Sequence, residues 1–282
     1  MSVGLVDLPF GEELRRWRLL RHMSQLDLAL RAGTTQRYLS YIEQGRSVPG
    51  RSMVVRLVES LDVPLRARNA LMRRAGYMPA YAERTFDDED LRAVREALES
   101  VLNGHEPYPA MIVNRGGDLV SANTACSVFF EDVAEDLLTP PINTRRLALH
   151  PGGLAQRITN FANWAPHVTE SLRRECARNP DPSLDAQLEE LDGYLASVPA
   201  VDNYLGFAVP MELATGDGTL RLITTLAAFA NATDVVLSEI RLEAFLPADE
   251  ETATTLRRRA ASPRSGSGRF RGRKIAQPAR PS

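Results

Sequence analysis

From Phe10 the apolar residues Leu14, Trp17 and Leu20 return at intervals of three to four, the period of a helix with one buried stripe. Glu12 and Glu13 stand in the first turn and Arg21 and His22 at the end, the order of charge that a helix dipole favours. Ser24 is suited to cap a second helix, Gln25 to Ala32, which Gly33 stops; Thr35 is suited to cap a third, Gln36 to Gln44, which Gly45 stops. Met53, Val54, Leu57, Val58 and Leu61 mark a fourth helix, and Pro64 opens a fifth carrying Leu65, Ala70, Leu71 and Met72. No alternating apolar pattern interrupts them. The pattern predicts an all-α five-helix domain over residues 10–77, after a short N-terminal arm of residues 1–9.

Residues 78–86 (MPAYAERTF) read as a linker, and Asp87 as the cap of an acidic helix through Leu91, Val94, Leu98 and Leu102. The texture then changes. Ala110–Asn114 and Leu119–Ala122 flank Gly116-Gly117, the signature of a β-hairpin, and Asn123 is suited to cap a helix through Phe129 and Phe130. Residues 145–178 form a helical region broken at Pro151-Gly152-Gly153, and another helix follows Asp181-Pro182. Further strands are expected at Tyr204–Leu213, Leu220–Phe229 and Ser238–Phe245. Residues 87–260 are therefore expected to form an α+β domain with a small antiparallel sheet and inserted helices, an order compatible with a PAS-like module. From 261 to 282 apolar content is too low to support a core, which predicts a disordered basic tail.

Length and composition sharpen this picture. A chain of 282 residues suits two modest domains, and 44% hydrophobic with 25% charged residues is ordinary for a globular protein. Two cysteines cannot build a disulfide framework or a four-thiolate zinc site. With no apolar run of membrane length and no leader-like N-terminus, a cytoplasmic protein without membrane association is expected. The net charge of −2 conceals a segregation: residues 1–78 carry +6, residues 79–256 carry −17, and residues 257–282 carry +9. Basic ends around an acidic middle point to a polyanionic partner for the ends.

The stretch Ser24–Gly50, SQLDLALRAGTTQRYLSYIEQGRSVPG, holds the chemistry. Gly33 allows a tight bend between two short helices, and Leu26, Ala29, Leu30, Leu39 and Ile42 are the residues expected to hold them together. That leaves the outer face of the helix after Thr35 free to enter a major groove. This stretch resembles the helix-turn-helix of Cro/C1-type (Xre) regulators, with Ser-Gln opening the first motif helix, Ala before Gly, a capped second helix and Ile-Glu-x-Gly at its end. The resemblance covers about residues 10–65 and implies a lambda-repressor-like domain that binds a double-stranded DNA operator. Gln36 is then suited to pair with adenine and Arg37 with guanine or a phosphate, with Ser40 and Tyr41 facing the same groove. Ser24, Gln25, Thr35, Arg46 and Arg51 are candidate phosphate contacts, as are Arg18 and Arg21; Glu43 reads as structural. A module of this size reads one half-site, so a homodimer is expected.

The middle of the chain is similar to the ligand-binding domain of MmyB-like transcription regulators, through PYPAMIVNRGGDLVSANTACSVFF, the stretch from Asn143 to Leu191, and the stretch from Leu220 to Ala260. The resemblance covers about residues 87–260 and implies a small, largely apolar ligand such as a fatty acid. Phe129, Phe161, Trp164 and Tyr204, with Phe130, Phe207 and Phe229, are candidates to line an apolar cavity, and His150, Arg157 and Asn160 to anchor a polar group. The alternative is a protein-interaction or dimerisation module that takes no ligand.

No enzyme is expected, and no catalytic residue is assigned. The four histidines show neither HExxH nor Cys/His spacing, so neither a metal nor another cofactor is expected. There is no G-x-S-x-G elbow and no phosphate-cradling glycine loop, and Gly216-Asp217-Gly218 reads as a hairpin turn. Cys126 and Cys176 read as buried small hydrophobes.

Overall fold

The computed structural model describes residues 9–199, 209–229 and 232–261. The chain divides into two compact units, Met1–Thr85 together with Asn231–Ser238, and Phe86–Ala230 together with Glu239–Ser282. Tyr204 and Phe207, the beginning of the strand expected at 204–213, most of the N-terminal arm and the basic tail from 262 lie outside the described residues.

The first unit is built from α1 (Phe10–Leu20), α2 (Gln25–Arg31), α3 (Gln36–Glu43), α4 (Arg51–Ser60) and α5 (Leu65–Arg74). Capping chemistry places the starts of α2 and α3. The Ser24 hydroxyl accepts from the Asp27 N–H while the Asp27 carboxylate accepts from the Ser24 N–H, a reciprocal box, and Thr35 Oγ1 accepts from the Tyr38 N–H at 3.2 Å. Gly33 and Gly45 end α2 and α3 at φ of 64° and 70°. Leu14, Trp17, Leu28, Leu39, Ile42, Leu57 and Leu71 form one core. The expectation for Leu26 and Leu30 is corrected: they are 50% and 68% exposed. Of the three leucines alternating along α2, helical geometry turns only Leu28 inward, beside Ala29 and Ala32, and puts the other two on the opposite face. α1 and α3 approach so closely that a Cβ on Gly11 would stand 2.2 Å from the Ile42 carbonyl oxygen.

The second unit opens with a 3₁₀ turn at Glu89–Leu91, capped by Asp88 rather than Asp87, and α6 (Arg92–Gly104). It then carries β1 (Ala110–Val113), β2 (Leu119–Ala122), α7 (Thr144–Leu149), α8 (Phe161–Arg178), α9 (Pro182–Leu195), β3 (Met211–Thr215) and β4 (Gly218–Ala228). α10 (Val235–Glu239) belongs to the first unit but for its last residue, and β5 (Arg241–Pro247) and α11 (Glu250–Ala261) complete the second. The sheet order is β2-β1-β5-β4-β3, and every pairing is antiparallel. Met111 stands opposite Glu243, Met211 opposite Leu222 and Leu213 opposite Leu220, so one sheet face gathers these apolar side chains with Phe129, Leu154 and Ile158. A second cluster joins α7, α8 and α9 through Leu149, Ala165, Leu172, Leu184 and Leu191. Phe161 and Trp164, near the start of α8, pack against both clusters.

Three expectations change here. The segment after Asn123 is a 3₁₀ helix, Thr124–Phe129, and the Asn123 side chain does not cap it. It bonds instead the carbonyls of Leu102 and Tyr108 and the N–H of Ala110, joining the end of α6 to β1. The arginines at 257–259, counted with the basic end, lie on α11: Arg257 pairs with Glu250, and Arg259 with Glu131 at 2.9 Å and Asp217 at 2.8 Å. Segment 78–86, read as a linker, is bonded to α5 through Asn69, which is fully buried. Among the described residues no helix is long and apolar enough to cross a membrane.

Candidate functional site

α3 is short because it needs only two turns. Its inner face contributes Leu39 and Ile42 to the core, and Thr35 and Gly45 fix its ends. Outward it presents Gln36 and Arg37, both exposed, with Ser40 and Tyr41 half-buried one turn later. Arg37 Nε donates to Tyr41 Oη at 3.1 Å and its guanidinium lies 5.5 Å from the ring, which holds a flexible side chain over the helix face. Ser40 Oγ accepts from Gln44 Nε2 at 3.0 Å. Arg46, at the end of α3, and Arg51, opening α4, are exposed.

Behind that face, Arg18 and Glu43 form a bidentate pair at 2.7 and 2.9 Å, both side chains at least 92% removed from solvent. Gln25 Nε2 donates to the same carboxylate at 2.8 Å. The pair fixes the end of α3 against α1 and the start of α2, so Glu43 positions the helix. Arg18 is thereby corrected as a phosphate contact: it is in the interior. Arg21 is spent on the carbonyls of Leu61 and Asp62 and stacks on Trp17 at 5.2 Å. Ser24 and Thr35 keep their candidate role beside a cap, and Gln25 has its amide engaged. The signal for the buried pair was present, an Arg and a Glu on inward-facing positions of an amphipathic pattern, but sequence alone does not tell which Arg meets which Glu.

In the second unit Phe129 is buried, its ring 4.7 Å from that of Phe245. His150 Nδ1 accepts from the Gly152 N–H at 2.9 Å, and its ring meets Tyr194 edge-on at 5.0 Å. Arg157 donates to the carbonyls of Glu131, Val128 and Ala214. Asn160 bridges α8 to β3, donating to the Pro210 carbonyl at 2.8 Å and accepting from the Glu212 N–H at 3.1 Å. The structure thus engages His150, Arg157 and Asn160 with the protein's own backbone and places Phe161 and Trp164 together at the junction of the two clusters. Phe229 is 40% exposed. A cleft of about 520 Å³ lies beside Arg157, lined also by Asp132, Gly152, Gln156 and Thr215. The sequence reading passed over Glu243, which faces Met111 and Leu226 across the sheet. Burial pushes its carboxyl up, against the opposing charge of Arg145.

Among the described residues no group of three or more His, Cys, Asp or Glu is placed to hold a metal ion. Cys126 and Cys176 are free and buried, and burial pushes both thiols up, Cys176 to about 11.

Comparison with known proteins places both units. Residues 14–67 match a helix-turn-helix family model, and residues 94–258 match the MmyB-like transcription regulator ligand binding domain. Over 111 residues the chain is 32% identical to the uncharacterized HTH-type transcriptional regulator RghRB of Bacillus subtilis, covering 39% of this chain and 70% of that protein. With an exposed, capped helix on a buried Arg–Glu support, followed by a domain whose model spans more than half of its length, the chain belongs to the MmyB-like transcription regulators and carries their helix-turn-helix DNA-binding domain.

Proposed function

We propose that this protein represses or activates transcription at an operator that two copies read together, and that its second unit sets the affinity by taking up a small apolar ligand. Gln36 and Arg37 read base edges, Ser40 and Tyr41 line the same groove wall, Ser24, Thr35, Arg46 and Arg51 meet phosphates, and Gln25 meets one through its backbone N–H at the start of α2. The observation that carries this reading is the exposed N-terminal half of α3, where an amide and a guanidinium project together from a helix whose other face is core. One such helix covers a half-site, so a homodimer on half-sites roughly 34 Å apart follows.

For the second unit we propose a PAS-like fold, supported by a hairpin at one sheet edge, helices inserted after it, and a second hairpin at the other edge. Phe161 and Trp164, half-buried between two clusters, support an apolar site that accepts a fatty acid or a similar chain. Phe129 walls it, and His150, Arg157, Asn160 and Tyr204 are the remaining candidates. A ligand alters DNA binding only through different affinities for the competent and incompetent arrangements.

Selection of genomic fragments by the purified protein at ordinary salt tests the first half: recovery of one enriched, two-fold symmetric motif is expected, and enrichment of nothing overturns it. Native mass spectrometry tests the second. A dimer carrying an extractable apolar molecule is expected; an empty dimer that captures a single protein partner instead supports an interaction module.

A further inference from the structure

The end of the first unit holds a backbone clamp that nothing in DNA reading requires. Asn69 on α5 uses its whole hydrogen-bonding capacity on segment 80–83: it accepts from the N–H groups of Ala80 and Tyr81 and donates to the Tyr81 carbonyl and to Glu83 Oε1. Tyr81 Oη donates to Glu59 at 3.0 Å and accepts from Arg68 at 3.2 Å. This segment is therefore rigidly part of the helical bundle.

On it sits a piece of chain from far along the sequence. Ala82 and Asp234 form a parallel bridge, the Val235 N–H donates to the Ala82 carbonyl at 2.9 Å, and Arg84 donates to Asp234 Oδ2 at 3.2 Å. Asp234 is 4% exposed, and its other carboxylate oxygen caps the turn that follows through the Val236 N–H at 2.9 Å. Residues 231–238 connect β4 to β5, and these two strands pair without a break from Leu222 opposite Pro247 to Ala228 opposite Arg241. A continuously paired ribbon transmits displacement along its length, because its strands cannot slip without breaking register.

We propose that Asp234 is a positioning residue through which the state of the β4–β5 ribbon is delivered to α5 and so to DNA affinity. This rests on the reading of the second unit as the regulatory one, and adds the residues that connect it. A buried carboxylate fixed by one guanidinium and by backbone N–H groups is suited to the task, because the docked carboxylate keeps these partners and the undocked one regains water, while a placement between them leaves a desolvated charge unpaired.

Linkage is reciprocal, so the test needs no ligand. Amide hydrogen exchange is measured on the full chain with and without a mixed-sequence 40-base-pair duplex at low salt, following peptides that cover 222–229 and 239–247. In the wild type the duplex is expected to slow exchange in both peptides. In Asp234→Asn, which keeps the cap, and in Arg84→Met, that response should shrink by about fivefold or more. Duplex affinity should meanwhile change by less than about twofold, and Arg84→Lys should restore the response. An undiminished response in both variants overturns the proposal, as does a wild type whose β4–β5 peptides ignore DNA. A protein that yields no ligand yet shows the response overturns only the ligand reading.

Discussion

Arg18 has exchanged water for one carboxylate and one carbonyl, and the Glu43 it meets is bonded by Gln25 as well. Removing either partner strands a buried charge, so Arg18→Met or Glu43→Gln is expected to cost about 3–5 kcal/mol in urea unfolding, far above the median for a surface pair. The outward residues behave differently. Gln36→Ala or Arg37→Ala should cost about 1–3 kcal/mol at one operator position and relax preference there, whereas Arg46→Ala should weaken all duplexes alike and lower the salt slope by about one. Binding measured across single-base operator variants at two salt concentrations separates these outcomes. The outward placement of Gln36 and Arg37 was legible from their position just after a capping threonine. The burial of Arg18 was not, because one arginine on an amphipathic helix resembles the next until a partner across 25 residues is known.

At the scale of elements, the caps and stops were written locally, and Ser24, Thr35, Gly33 and Gly45 set the ends of α2 and α3 to within a residue. Packing faces were harder to read. α2 carries enough leucine for two apolar faces, and only the neighbouring helices decide that Leu28 is core while Leu26 and Leu30 are not. The close crossing of α1 and α3 is likewise tertiary. Gly11→Ala forces a methyl group against the Ile42 carbonyl, so about 1–3 kcal/mol of destabilisation is expected, with loss of duplex binding as α3 shifts. Thermal unfolding and anisotropy on the same sample check both. The segment on α5 adds a pH dependence. Burial works against the charge of Glu83, but hydrogen bonds from Asn69 and Arg73 outweigh it and hold the carboxyl below its ordinary 4.5. A carboxyl lowered in the folded state stabilises it above that value, and the contribution is lost as pH falls through the lowered one. Exchange protection of residues 80–84 should therefore fall below pH about 4.5 and become flat with pH in Glu83→Gln.

The whole molecule joins a basic helical unit to an acidic α+β unit, and the charge segregation assigns the polyanion to the first. The basic stretch 262–282 gives a prediction at this scale: its removal should lower the slope of log affinity against log salt, since each phosphate neutralised contributes about 0.9. Equal slopes for full-length and truncated protein would show that the stretch does not touch phosphate. By itself the sequence determined the five helices, the caps of α2 and α3, the α+β character of the middle, and the exposed face of α3. Each of those depends on periodicity and capping over a few neighbouring residues, where the physics is local. Only the tertiary structure decided that Arg18 is buried, which leucines of α2 face inward, and that Asp234 returns across 150 residues to pair with Arg84. Those outcomes depend on which surfaces meet, and a desolvated charge acquires its partner from the fold rather than from its neighbours in the chain.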